Sequence, residues 1–142
     1  MIVLDANILL YAYDESASHH KKARPWFEQA LSASHPVGLP WQSIAAFLRI
    51  TTDLRLPGQR RTPEAAARIV ESWFDQPCVV VLNTGSGHWA HLKRMMIDGQ
   101  ARGPMISDAQ LAALTIEHGG VLHTTDRDFS RFPGLRWINP LA

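Results

Sequence analysis

The chain starts with a short apolar run, "MIVL", that stops at a carboxylate, Asp5, with the amide Asn7 just beyond. An Ile-Val-Leu run too short for a helix reads as a strand buried on both faces. Only a sheet covered by helices on both sides houses such a strand. Similar runs recur at 78–82, "CVVVL", and 121–124, "VLHT", with a shorter "RWI" at 136–138 and an extended "HPVGLP" at 35–40.

Between these runs the apolar spacing is helical. Residues 6–13 continue from the first strand as a helical turn. Ala23, Trp26 or Phe27, Ala30 and Leu31 mark a helix over 18–31, where Pro25 predicts a kink or a restart. Ile44, Phe47, Leu48 and Thr51 line one face of a helix over 41–52. Thr62 caps and Pro63 opens a helix over 63–75 that buries Ala66, Ile69, Val70 and Trp73 or Phe74. Further helices cover about 86–97 and 107–118, the second closed by Gly119 and Gly120. Strand–helix alternation of this kind predicts an α/β sandwich with a largely parallel sheet, and 142 residues suit a single domain, 1–142.

Composition narrows the function. A net charge of +1 offers no broad basic surface, so a nucleic-acid substrate has to be held by a local patch or a metal. Cys78 is the only cysteine, which excludes an internal disulfide and a cysteine-based metal cluster and suits a reducing, cytoplasmic setting. Asp5 interrupts the N-terminal apolar run before a signal peptide develops, and no stretch is long enough for a membrane span.

Three aspartates stand out by placement. Asp5 ends the first strand, Asp126 follows the strand at 121–124, and Asp108 opens the helix that feeds that strand. In a parallel α/β sheet a helix runs antiparallel to the strand it feeds, so its start lies beside that strand's end. Asp108 and Asp126 therefore share one sheet edge, and Asp5 joins them if its strand is parallel to 121–124. Each alone reads as a helix or turn cap. Together they repel, and hard oxygen ligands of this kind suit Mg²⁺ or Mn²⁺ rather than zinc.

"MIVLDANILLYA", "GLPWQSIAAFLRITT", "ISDAQLAALTIEHGG" and "LHTTDRDFSRFPGLRW" together resemble the PIN-domain ribonucleases, specifically the VapC-type toxins of bacterial toxin–antitoxin pairs. The resemblance spans almost the whole chain. It implies a PIN-like three-layer sandwich and an Mg²⁺-dependent endoribonuclease in which Mn²⁺ can substitute. It also implies a cognate antitoxin and a homodimer. By it, Asp5, Asp108 and Asp126 are metal-binding catalytic acids, and Asn7 positions Asp5 or the scissile phosphate. Ser107 and Thr125 are candidate hydroxyls that orient the carboxylates. Asp128 supplies a fourth acid or caps the next turn; the residues leave both open. One departure stands out. Many relatives carry a Glu in the helix after the second strand, one turn before an Arg such as Arg49; the matching position here is Ala46, and 38–52 holds no acid. A second metal would then be held poorly, or through water and Gln42.

Two rival functions follow from the residues. A PIN domain with weak or lost catalysis would bind RNA or a protein partner. A haloacid-dehalogenase-type phosphatase also starts from a strand-end Asp, but it needs an acid two residues later, where Asn7 stands. Other features read as structural. His88 and His91 lack a further nitrogen or sulfur ligand and fit a partly exposed helix face. Trp41, Trp73, Trp89 and Trp137 fit core or interface positions better than base-stacking platforms. "RLPGQRR" at 55–61 is the best local basic patch.

Overall fold

The computed structural model describes residues Met1–Ala142. The strands are β1 (Ile2–Leu4), β2 (Val37–Pro40), β3 (Val79–Leu82), β4 (Val121–His123) and β5 (Trp137–Ile138). They form one sheet of order β3-β2-β1-β4-β5, and every neighbouring pair is parallel. All carboxyl ends of the strands therefore open on the same edge. The helices are α1 (Ala6–Tyr13), α2 (His20–Ser32), α3 (Trp41–Thr51), α4 (Pro63–Phe74), α5 (His88–Asp98) and α6 (Met105–Glu117), with a short 3-10 helix at Arg127–Arg131.

The alternation in β1 builds the layers. Leu4 packs with Ile8, Phe27, Phe47 and Trp73 under α1 to α4, while Val3 packs with Met95, Ala109, Ala112 and Leu122 under α5 and α6. Successive residues of one strand thus feed two cores on opposite sheet faces. Trp73 is fully buried and stacks obliquely on Phe47 at 4.9 Å between ring centroids. Val70 is buried with it, whereas Phe74 stays exposed.

Thr62 caps α4 through its hydroxyl and Pro63 opens it, as the sequence predicts. Pro25 marks no restart: α2 runs through it unbroken. Both Pro25 and Lys21, whose carbonyl loses its helical donor, are exposed, so water replaces the missing bond. Of the tryptophans expected in the core or at an interface, Trp73 is in the core, whereas Trp41 on α3 and Trp89 on α5 are 53% and 62% exposed and so are not core residues.

The basic loop is less free than its sequence suggests. Arg55 pairs with Asp53, Arg60 donates to the carbonyls of Leu56, Pro57 and Gln59, and Arg61 lies over the Tyr13 ring. Its arginines are largely spent on the loop's own geometry. No helix is long and apolar enough to cross a membrane.

Candidate functional site: an acidic edge organised by a buried threonine

The register of β1 on β4 sets Leu4 beside His123, and the Asp5 amide donates to the His123 carbonyl at 3.1 Å. One residue further along each chain, Asp5 meets Thr124. Thr124 is fully buried. Its hydroxyl donates to Asp5 Oδ2 at 2.7 Å and accepts from Asn7 Nδ2 at 3.1 Å and the Asp126 amide at 3.0 Å. A hydroxyl offers one donor and two acceptor sites, so all of its capacity is used.

Asp5 is both a cap and a member of the cluster. Its Oδ1 accepts from the Ala6 amide at 2.7 Å and starts α1, while Oδ2 takes the Thr124 hydroxyl. Burial pushes its pKa up, the Thr124 and Ala6 bonds pull it back, and the nearby Asp126 charge adds to the rise. Asp126 caps the 3-10 helix by accepting from the Asp128 amide at 2.9 Å, which leaves its other oxygen without a protein donor.

Asp108 stands in the first turn of α6 and is half-buried. Burial and then the charges of Asp126, Asp5 and Asp128 push its pKa from the ordinary 3.8 to about 6, with Arg131 opposing. The topology puts Asp5 just past the end of β1, Asp126 and Asp128 past the end of the neighbouring parallel β4, and Asp108 in the first turn of the helix that leads into β4. No group of three His, Cys, Asp or Glu side chains is compact enough to form a ready-made metal cage.

The remaining predicted residues divide. The orienting hydroxyl belongs to Thr124 and not to Thr125, which makes no hydrogen bond to the acids. Side chains alternate beyond the strand end, so only one of the two faces Asp5. Counting register from the two strand ends, Asp5 against residue 124, was the signal that identifies it. Ser107 contributes its backbone: its carbonyl accepts from Gln42 Nε2 at 2.9 Å and ties the start of α3 to the start of α6. Ser43, unmarked in the sequence, is 2% exposed and donates to the Leu4 carbonyl at 2.7 Å, pinning α3 to the end of β1. Asn7 Oδ1 is buried and has no partner. Ala46 is half-buried and, with Gln42, Arg49 and Ser107, lines an open groove of about 520 Å³ rather than the core.

Known proteins share this frame. A PIN-domain family model matches residues 2–135. The ribonuclease VapC37 of Mycobacterium tuberculosis is 37% identical over 142 residues, covering 100% of this chain and 99% of that protein. This chain belongs to the PIN-domain family, among the VapC ribonucleases. Solved structures agree on the fold. The Rickettsia felis VapBC2 complex, bound to a promoter DNA fragment, superposes with a TM-score of 0.73 at 15% identity, covering 98% of each chain. VapBC-1 of nontypeable Haemophilus influenzae gives 0.71 at 19% identity, covering 100% of each chain.

The raised Asp108 carboxyl of this PIN domain has a pH signature. Between 3.8 and about 6 the folded protein holds a proton that the unfolded chain has released. In chelator, Asp108 therefore adds stability at pH below about 4 that is lost as the pH rises through about 6. Melting curves across this range should show a decline that Asp108→Asn flattens. An identical slope in the variant would place the shift elsewhere.

Proposed function

We propose that this PIN domain is a divalent-metal-dependent endoribonuclease and the toxin of a toxin–antitoxin pair, acting in the cytoplasm. The observation that carries the reading is the placement of Asp5 and Asp126 past the ends of the paired parallel strands β1 and β4, tied together through the Thr124 hydroxyl, with Asp108 opening the helix that leads into β4. A divalent cation would relieve the mutual repulsion of such acids. The donor set fits Mg²⁺, with Mn²⁺ as substitute: every group is a hard oxygen, and Asn7 Oδ1 is a buried oxygen without a partner. Mg²⁺ is commonly bound by one or two carboxylates together with water and substrate phosphate, so this reading needs only part of the acidic set to touch the ion directly.

Asp5, Asp108 and Asp126 would hold the ion, with Asp128 at the rim, and when bound it would offset the acids' repulsion and the charge growing on the phosphate. Asp5 is held from two sides, by Thr124 and Ala6, so its orientation is fixed before substrate arrives. Asn7 is anchored through Nδ2, which leaves Oδ1 for the site. Water attacks the phosphorus in line, its proton passing to an acid of the cluster. The 3′-oxygen leaves and the product carries a 5′-phosphate.

The named VapBC relatives support a cognate antitoxin. An apolar groove of about 420 Å³ between α3 and α4, lined by Leu48, Ala66, Ala67 and Val70, is a fitting seat for its chain. Exposed Trp89 and Ile97 on α5 support a homodimer.

Asp5→Asn keeps the shape of the side chain, removes the charge and turns one of the two accepting oxygens into an NH2 donor. Cleavage of a labelled RNA should fall by more than about 100-fold, the scale of several kcal/mol of charge stabilisation. Chelator should abolish wild-type cleavage. Activity that survives both would defeat the metal mechanism.

Ala46 tests the missing acid separately. Because Ala46 faces the groove and not the core, Ala46→Glu should fold normally and lower the metal concentration that gives half-maximal cleavage. A lowered melting temperature with an unchanged metal requirement would show that the position does not reach the site.

A further inference from the structure

At the carboxyl end of β3, a second groove of about 530 Å³ runs between Trp41, Asn83, Thr84 and His88, with Gln42 and Gln110 on its other side. Gln42 and Gln110 also line the groove that holds Ala46, Arg49 and Ser107, so the two grooves form one trench. The trench leads from Ser107, next to Asp108, to the rim at Trp41. Its volume lies within the roughly 300–1,000 Å³ of sites that hold small organic groups.

The lining is a mixture of one flat aromatic face and several amides. Trp41 is 53% exposed, yet its position is fixed: Nε1 donates to Asn83 Oδ1 at 3.1 Å, and Phe74 packs edge-on at 6.2 Å between centroids. Asn83 is itself held, its carbonyl contacting His118 Nε2 at 2.9 Å. His88 is seated from behind. Its Nδ1 is buried without a hydrogen-bond partner, 3.6 Å from Glu117 Oε2, and Glu117 in turn accepts from the Gly85 amide at 2.8 Å. The ring nitrogen left for the trench is Nε2. The free ends of Gln42 and Gln110 add adaptable donors and acceptors.

We propose that this trench is a subsite for an unpaired RNA base flanking the scissile phosphate, stacked on Trp41 and bonded along its edge by Asn83, His88 and Gln110. The proposal rests on the ribonuclease reading and adds to it where the strand lies. A single-stranded base presents a π-face and a hydrogen-bonding edge together, which is what an anchored indole beside amides and an imidazole recognises. A duplex keeps its bases stacked and cannot enter. Arg49, exposed on the part of the trench that Ser107 also lines and without an acidic partner, offers a charge for the connecting phosphate.

The test measures binding of fluorescent single-stranded oligoribonucleotides by anisotropy, with all variants built on Asp5→Asn to prevent cleavage. Trp41→Ala should raise Kd about ten-fold, the effect of losing one stacked base. Trp41→Phe should restore most of the loss, and His88→Ala should give a smaller rise. A hairpin duplex should be affected by none of them. Unchanged melting curves would exclude a folding defect. Equal affinity of Trp41→Ala and its parent for single strands overturns the subsite. So does a Trp41→Ala protein that keeps RNA binding but loses self-association or antitoxin binding, which would assign the surface to a protein partner. With Trp41→Ala made separately in the cleaving protein, a kcat/KM equal to wild type removes only the subsite. A wild type that neither binds nor cleaves RNA removes the ribonuclease reading with it.

Discussion

A single buried hydroxyl joins the two ends of the chain. Thr124 holds Asp5, Asn7 and the backbone of Asp126 at once, contacts separated by as many as 119 positions in sequence. The bonds to Asp5 and from Asn7 are lost to a chain whose β1 and β4 are out of register by one residue, because a slip of one turns every side chain to the opposite face, whereas the Asp126 amide bond is local. The placement of the acids is therefore a consequence of the strand pairing. The strand pairing in turn is fixed by Val3 and Leu4, which feed the two cores on opposite faces.

The electrostatics of the edge follow from that geometry. A parallel sheet gathers strand ends and helix starts together. Here the helix starts of α1 and α6 favour negative charge at Asp5 and Asp108. Those dipoles are too weak to offset burial and mutual repulsion, and the net result is a carboxyl at Asp108 near 6 and a raised one at Asp5. The fold thus tolerates an unfavourable cluster that a divalent ion would relieve, a pattern more typical of function than of stability. Arg131 is the one nearby cation that opposes the rise at Asp108, and it lies on the same short 3-10 helix that Asp126 caps.

Much of this was legible in the sequence. The short apolar runs give a covered parallel sheet, and the helix-antiparallel-to-strand rule places Asp108 beside Asp126 without any coordinates. In "LDAN", Asp5 caps α1 through one oxygen and takes the Thr124 hydroxyl on the other, so the local role and the proposed site are compatible. What was not legible depends on long-range register or on which side of an element a residue faces. Thr124 and Thr125 are indistinguishable until β4 is aligned on β1. Ser43 is one hydroxyl in an apolar helix until the Leu4 carbonyl is found above it. Trp41 and Trp73 look alike as apolar residues, but one lies exposed at the start of α3 and the other is fully buried against Tyr13, Phe27 and Phe47. Pro25 starts no new helix, because its cost depends on whether solvent reaches the orphaned carbonyl.

The metal dependence of RNA cleavage in Thr124→Val and Thr124→Ser tests the central claim most directly. Valine keeps the shape and removes the hydroxyl, leaving Asp5, Asn7 and the Asp126 amide without their common partner. The account expects Thr124→Val to need more metal and to cleave about 10–100-fold more slowly, the range for lost orienting bonds behind a metal ligand. Thr124→Ser should stay close to wild type. A fully active Thr124→Val protein with an unchanged metal requirement would contradict the claim that this hydroxyl organises the acidic edge.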